Sequence, residues 1–484
     1  MGGSAGPREA SIVPHRPLQN RCGQARAACA GGRMPADMQE PEPPPHSQAG
    51  LLQNLRREFA DGRTWLERAV VLAYAAAAGL AVVGFTLLAE FAFEQFTRLQ
   101  SFNRWSVLLW TPLCTAAIVW LTRRFAPGAA GSGIPQVIAA LDSDMPPQAR
   151  PRFVSLRLSA AKVLLSSAGL LAGLSVGREG PSVQVAAGVM AHAQRWLAPG
   201  RIPVHALLVA GGAAGIAAAF NAPLAGIVFA IEELSRKLES RSSGLIIAAI
   251  VLAGLMGVSA FGNLAYFGVI RVPALHWNAL APGVLVVLAS GVLGGLFAKL
   301  LAVSLTGGGG RLGQLRAACP VRFAAGCGLA VAGIGLVSDG ATFGAGSDAV
   351  KHMLAGHADL PPLYSLLKFA ATWLTAWSGV PGGIFAPSLS IGAGVGHDVA
   401  LIAGNAELAP ALIAIGMAAF LAAVTQAPLT SFIIVMEMVD GHAMVLSLMA
   451  GAMLASLISR LMAPPLYETL ARHMVAGARR STGG

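Results

Sequence analysis

A chain of 484 residues with 55% hydrophobic and 12% charged side chains falls outside the range of soluble domains, where about 25% of residues carry charge. The net charge of +11 invites a nucleic-acid reading, but the arginines gather in the N-terminal tail, the loops and the C-terminal end. No aromatic side chains interleave with them as on an RNA-binding surface, so the composition predicts a polytopic, all-α membrane protein and excludes a nucleic-acid partner.

Residues 1–50 are rich in Pro, Gly, Arg and Gln, as in "EPEPPPHSQ", and carry no signal-peptide core. They are predicted to be a disordered tail. Residues 51–475 form the predicted transmembrane domain, and 476–484 a short C-terminal tail. Arg56, Arg57, Arg63 and Arg68 precede the first apolar stretch, and Arg472, Arg479 and Arg480 follow the last. Basic flanks of this kind predict both termini on the cytoplasmic side, and so an even number of crossings. Apolar stretches near the ~20 residues that span a bilayer run over 69–89, 105–121, 205–231, 243–261, 281–303, 411–436 and 443–463.

Three polar breaks interrupt this pattern. "GSGIPQ" (131–136) places Gly131, Ser132, Gly133 and Pro135 before a short helix-like run and in isolation reads as a loop. "GREGPS" (177–182) sets Gly177, Arg178, Glu179, Gly180 and Pro181 between weakly polar runs. Charges at such depth are costly, so Glu179 is either a structural acid paired with Arg178 or a working group. Lys162, in the apolar run before it, either snorkels or pairs. "GIFAP" places Gly383, Ile384, Phe385 and Pro387 in the second half of the chain.

The halves repeat. "VAGGAAGIAAAFNAPLAGIVFAIEEL" (209–234) matches "AIGMAAFLAAVTQAPLTSFIIVMEMV" (414–439) at an offset of 205, aligning both "APL" triplets and Glu232 with Glu437. In nearly the same register, 177–189 matches 383–395. The predicted repeats are about 65–260 and 270–465. Each carries a Gly/Pro-interrupted helix start at a corresponding place, the sequence pointer to a transporter's binding site. A helix that begins inside the membrane presents unpaired N–H groups and a positive dipole end, which attract an anion. An odd number of crossings per half would invert the second repeat.

These breaks together resemble the CLC family of chloride channels and chloride/proton antiporters, whose marks GSGIP, G(R/K)EGP and GxFxP appear here in the family's order. A tyrosine near the C-terminus, Tyr467 in "PPLYETL", is the fourth mark, and the resemblance covers about 65–475. It implies a CLC-like fold of two inverted-topology repeats with tilted and discontinuous helices. It further implies Glu179 as a gating carboxylate, Ser132 and Tyr467 as hydroxyl donors to chloride, and the Ile384 and Phe385 N–H groups as the rest of the anion site. The internal proton glutamate of the family's antiporters matches Glu233, with Glu232 beside it either wiring it to water or serving the architecture. A homodimer with one pore per subunit is implied, in a bacterial inner membrane. Gln136 stands where many members have glutamate. The chain ends 17 residues after Tyr467, so the paired CBS domains of eukaryotic members are not expected.

Glu233 also reads as a helix-end charge near Arg236 and Lys237, Ser132 as a simple N-cap, and Tyr467 as an interfacial aromatic. Cys22, Cys29, Cys114, Cys319 and Cys327 have no metal spacing, and no histidines form an HExxH pair. No metal site, cofactor or enzyme activity is expected. The leading expectation is chloride/proton antiport, with a passive voltage- or pH-gated chloride channel as the alternative and fluoride/proton exchange as a distant third.

Overall fold

The computed structural model describes Gly2 and residues 62–235, 243–262, 266–268, 279–308, 310–356, 361 and 363–482. Arg236, Lys237 and, Gly2 apart, the predicted tail 1–50 lie outside the described residues. All regular structure described is helical, apart from two isolated bridges. Nine helices among the described residues are long and apolar enough to cross a membrane.

The first half opens with α1 (Gly62–Phe102) and α2 (Val107–Phe125). In α1 the small and aromatic residues Val71, Ala75, Ala78, Val82, Phe85 and Ala89 recur at helical spacing and are buried. Leu80, Leu87 and Phe91 on the other face are equally apolar but exposed. A helix apolar all round, buried on one side only, is built to face lipid. Then follow α3 (Ile134–Leu141), α4 (Leu156–Leu171), α5 (Glu179–His192), α6 (Val204–Phe220), α7 (Pro223–Phe229) and α8 (Ser243–Phe261). A π-helical turn, Ala230–Leu234, ends α7.

The second half repeats the series: α9 (Leu280–Leu305), α10 (Gly310–Ala318), α11 (Pro320–Val337), α12 (Ser347–Leu354), α13 (Tyr364–Ser378), α14 (Phe385–Ala403), α15 (Ala409–Thr425), α16 (Pro428–Met438) and α17 (Val445–Met462). The last helix, α18, spans Leu466–Thr482. Residues 476–482, set apart above as a tail, continue it. The starts of α6 and α15, and of α7 and α16, are displaced by 205 positions, the offset read in the sequence. The alanine-rich α6 and α15 are buried almost all round and form the centre of the molecule.

Two predicted spans need correction. Stretches 205–231 and 411–436 are each two helices. Asn221 (φ 56°) and Gln426 (φ 60°) end α6 and α15 in the left-handed conformation. Two residues later Pro223 and Pro428 each begin a new helix, the position proline tolerates best. Hydropathy runs through these corners unbroken, and so concealed them.

The buried lysines form a second correspondence. Lys162 neither snorkels nor pairs with a carboxylate: its Nζ donates to the Ala129 and Gly131 carbonyls at 2.8 and 2.6 Å. Lys368 does the same to the Thr342 and Gly344 carbonyls at 2.9 and 2.8 Å. Each ammonium thus braces the loop that leads into a short helix, α3 or α12. The residues capping those helices, Gly133 (φ 111°) and Gly346 (φ 86°), occupy backbone conformations that side chains disfavour.

Candidate functional site

The three breaks meet. Gly177 and Gly383 exchange both backbone hydrogen bonds, at 2.8 and 2.7 Å, and the Gly382 N–H donates to the Gly131 carbonyl at 3.0 Å. A methyl group at Gly180 would strike Ser132 Oγ and lie 2.9 Å from the Ser132 carbonyl and 3.3 Å from Gly383 Cα. Glycine is therefore required there for close approach. Pro135, Pro181 and Pro387 fall in the first turns of α3, α5 and α14, where a missing N–H costs no helical bond. Gln136 braces the first break. It accepts from the Gly133 N–H at 2.9 Å and donates to the Ala130 carbonyl. A glutamate could only accept.

Ser132 Oγ lies beside the Tyr467 hydroxyl, and neither oxygen has a hydrogen-bond partner of good geometry. Tyr467 is buried, and its ring stacks on Phe385 with centroids 6.1 Å apart and planes 20° from parallel. Ile384 is the N-cap of α14 and Phe385 its first residue. Buried hydroxyls without partners are rare and costly. Two of them side by side, one stacked on the start of α14, where the first N–H groups have no intrahelical partner, make a set of donors suited to an anion.

Glu179 is the first residue of α5 and 2% exposed. Its Oε2 has no hydrogen-bond partner and folds back over Gly177, in the space a methyl group would fill. Backbone amides of Arg178, Glu179 and Ala386 stand around the carboxylate, so it touches the starts of α5 and α14 together. The Arg178 ion pair is made elsewhere: its NH1 donates to Glu90 Oε1 of α1 at 2.8 Å, and its NH2 to the Tyr266 hydroxyl at 3.3 Å.

The predicted proton pair divides. Glu232 accepts from the Leu429 and Thr430 N–H groups of α16 at 3.0 and 2.6 Å. Glu437 accepts from Leu224 and Ala225 of α7 at 3.2 and 2.7 Å. Each repeat caps the other's short helix, and such a reciprocal exchange is the mark of a two-fold relation. Glu233 makes neither of these caps. It lines a cavity of about 950 Å³ with Glu232, Gln426, Arg460 and Tyr467. A different cavity of about 640 Å³ is lined by Glu179, Arg178, Glu90, Tyr266 and Lys351. Tyr467 and Glu179 thus open to different cavities, while Tyr467 packs on the helix start that Glu179 touches.

Sequence reasoning found the residues of the three breaks and Tyr467. It missed Glu90, Tyr266 and Lys368, which carry no local motif. The exchange between Glu232 and Glu437 had a signal, the aligned glutamates and "APL" triplets, but alignment does not say which group meets which.

Residues 114–460 match the family described as voltage gated chloride channel. The chain is 31% identical over 444 residues to the H(+)/Cl(−) exchange transporter ClcA of Vibrio parahaemolyticus serotype O3:K6 (strain RIMD 2210633), covering 81% of this chain and 86% of that one. Its fold matches that of a slow cyanobacterial Cl−/H+ antiporter with a TM-score of 0.70 at 24% identity, over 85% of this chain and 98% of that one. A CLC-type fluoride/proton antiporter matches with a TM-score of 0.68 at 20% identity, over 84% and 98%. At these identities the solved structures speak to the fold alone.

Proposed function

The chain belongs to the voltage-gated chloride channel family, and on that footing we propose that it exchanges chloride for protons across a membrane. The observation that carries this reading is the Glu179 carboxylate lying where two helix starts meet, a place suited to an anion. A carboxylate there competes with chloride for the same helix starts. Protonation removes its charge, and with it the attraction of the helix ends. The group then leaves, the anion enters, and one proton is bound for the exchange. Ser132 and Tyr467 donate hydroxyl hydrogen bonds to the dehydrated ion, and the N–H groups of Ile384 and Phe385 complete its shell.

Glu233 takes protons between Glu179 and the second cavity. It stands in that cavity with Tyr467 but outside the donor set, which suits a group that carries protons without binding the anion. Both termini, the second cavity and the end of α18 are read as cytoplasmic, and the membrane as a bacterial inner membrane. A homodimer with one pore per subunit follows from the family resemblance. Small-residue-rich apolar helices able to form a broad contact support it.

The test is proton movement in liposomes under a chloride gradient. Wild type drives protons uphill. Glu179→Gln keeps anion flux and loses proton movement, because an amide carries no proton and mimics the neutral acid. Glu233→Gln has the same outcome. A wild-type protein that passes chloride without moving protons is a channel.

A further inference from the structure

The cavity beside Glu179 holds a network that the exchange reading leaves without a task. The Glu90 side chain is 57% exposed there, while that of its partner Arg178 is 10% exposed. Arg178 is the residue next to Glu179, and its second nitrogen donates to Tyr266, whose hydroxyl shares a hydrogen bond with Ser347 Oγ at 3.2 Å. One carboxylate at the edge of water is therefore linked, through one buried guanidinium, to the proposed gate.

We propose that Glu90 is a positioning residue for the gate, offsetting the Arg178 charge and so setting the acidity at which Glu179 takes up its proton. This rests on the gate reading above. Alone, the Arg178 cation would favour the Glu179 carboxylate and hold the gate shut against the helix starts. The Glu90 anion cancels part of that field and draws the guanidinium away on a short bond. Other charges stand nearby. Asp339 lines the same cavity and approaches Arg104 at 3.9 Å, while Glu94, one turn along α1 and outside that lining, pairs with Arg98 at 2.6 Å. Lys351 lies over the Tyr266 ring, centred 5.6 Å away, while Asp348 and His352 of α12 line the wall. Among the described residues, Glu90 alone of these acids forms an ion pair with Arg178.

The experiment uses the full chain in liposomes, with chloride flux followed against a pH set equal on both faces. Glu90→Gln is expected to move the profile toward acid by a fraction of a pH unit, because a carboxylate this exposed is screened by water. The sign follows from the uncompensated Arg178, because more acid is then needed to neutralise Glu179. Glu90→Asp restores the charge and most of the wild-type profile. Glu94→Gln, one turn along α1 from Glu90 but paired with Arg98, leaves the profile in place. Melting in detergent checks the fold, and Glu90→Ser, at the same wet position, serves if Glu90→Gln does not fold. A Glu90→Gln profile that overlays wild type, while the Glu179→Gln profile is flat, overturns the inference alone. A Glu179→Gln profile that keeps the wild-type pH dependence overturns the gate reading beneath it.

Discussion

Ser132 and Tyr467 are two buried hydroxyls with no hydrogen-bond partner of good geometry, and they stand side by side. A hydroxyl gives one directed hydrogen bond to a spherical ion that has shed its water, and planar, weakly hydrated nitrate gains less from it. A hydrogen bond to a charged group contributes about 1.5–3 kcal/mol, or about tenfold and more in relative affinity. Ser132→Pro removes the donor and fixes φ at a value that a helix start tolerates. On the exchange reading, nitrate should therefore gain about tenfold on chloride while flux continues. Anion competition in liposomes at equal protein loading measures it, and an unchanged ratio would leave selectivity to the backbone amides, since Gly133 and not Ser132 is the N-cap of α3. The neighbouring glutamates separate in the same way. Glu232 is occupied by two helix N–H groups of α16, so Glu232→Gln should lower the melting temperature but keep proton coupling. Loss of coupling with unchanged stability would return Glu232 to the proton path.

Among the elements, the short helices α3 and α12 matter because each begins at a loop braced by a buried ammonium. Lys162→Met leaves the Ala129 and Gly131 carbonyls without their donor, and Lys368→Met does the same to Thr342 and Gly344. Each substitution should destabilise by about 1–3 kcal/mol per carbonyl left unpaired, read as a lower melting temperature in mild detergent. Only Lys162→Met should also weaken anion binding, because Gly131 leads directly into Ser132, whereas the Lys368 loop leads into no group of the proposed donor set. Equal effects on binding would show that both lysines act through the core rather than through the loop. These helix starts were legible because glycine and proline punctuate apolar sequence and recur at a fixed offset. The corners at Asn221 and Gln426 were not, although proline stands two residues beyond each, because alanine carries the hydropathy straight through. The Arg178–Glu90 bridge joins residues 88 apart. No periodicity encodes such a pairing, and only packing of α1 beside α5 makes it.

Across the whole molecule, the proposed site draws on both repeats of one chain. Ser132 and Glu179 come from the first half, and Ile384, Phe385 and Tyr467 from the second. The two-fold exchange of Glu232 and Glu437 ties the halves together. On the exchange reading, every group proposed to bind the anion and gate it lies within a single subunit. If the protein is a homodimer, its two pores should work without reference to each other. Dimers that carry wild type on one side and Glu179→Gln on the other, purified through two different affinity tags, test this. One subunit should exchange protons normally, while its neighbour passes anions without them. Proton movement per dimer should then fall to about half, the sum expected of independent sites. Proton movement lost altogether in the mixed dimer would mean that the subunits gate together, and that the site is not complete within one chain.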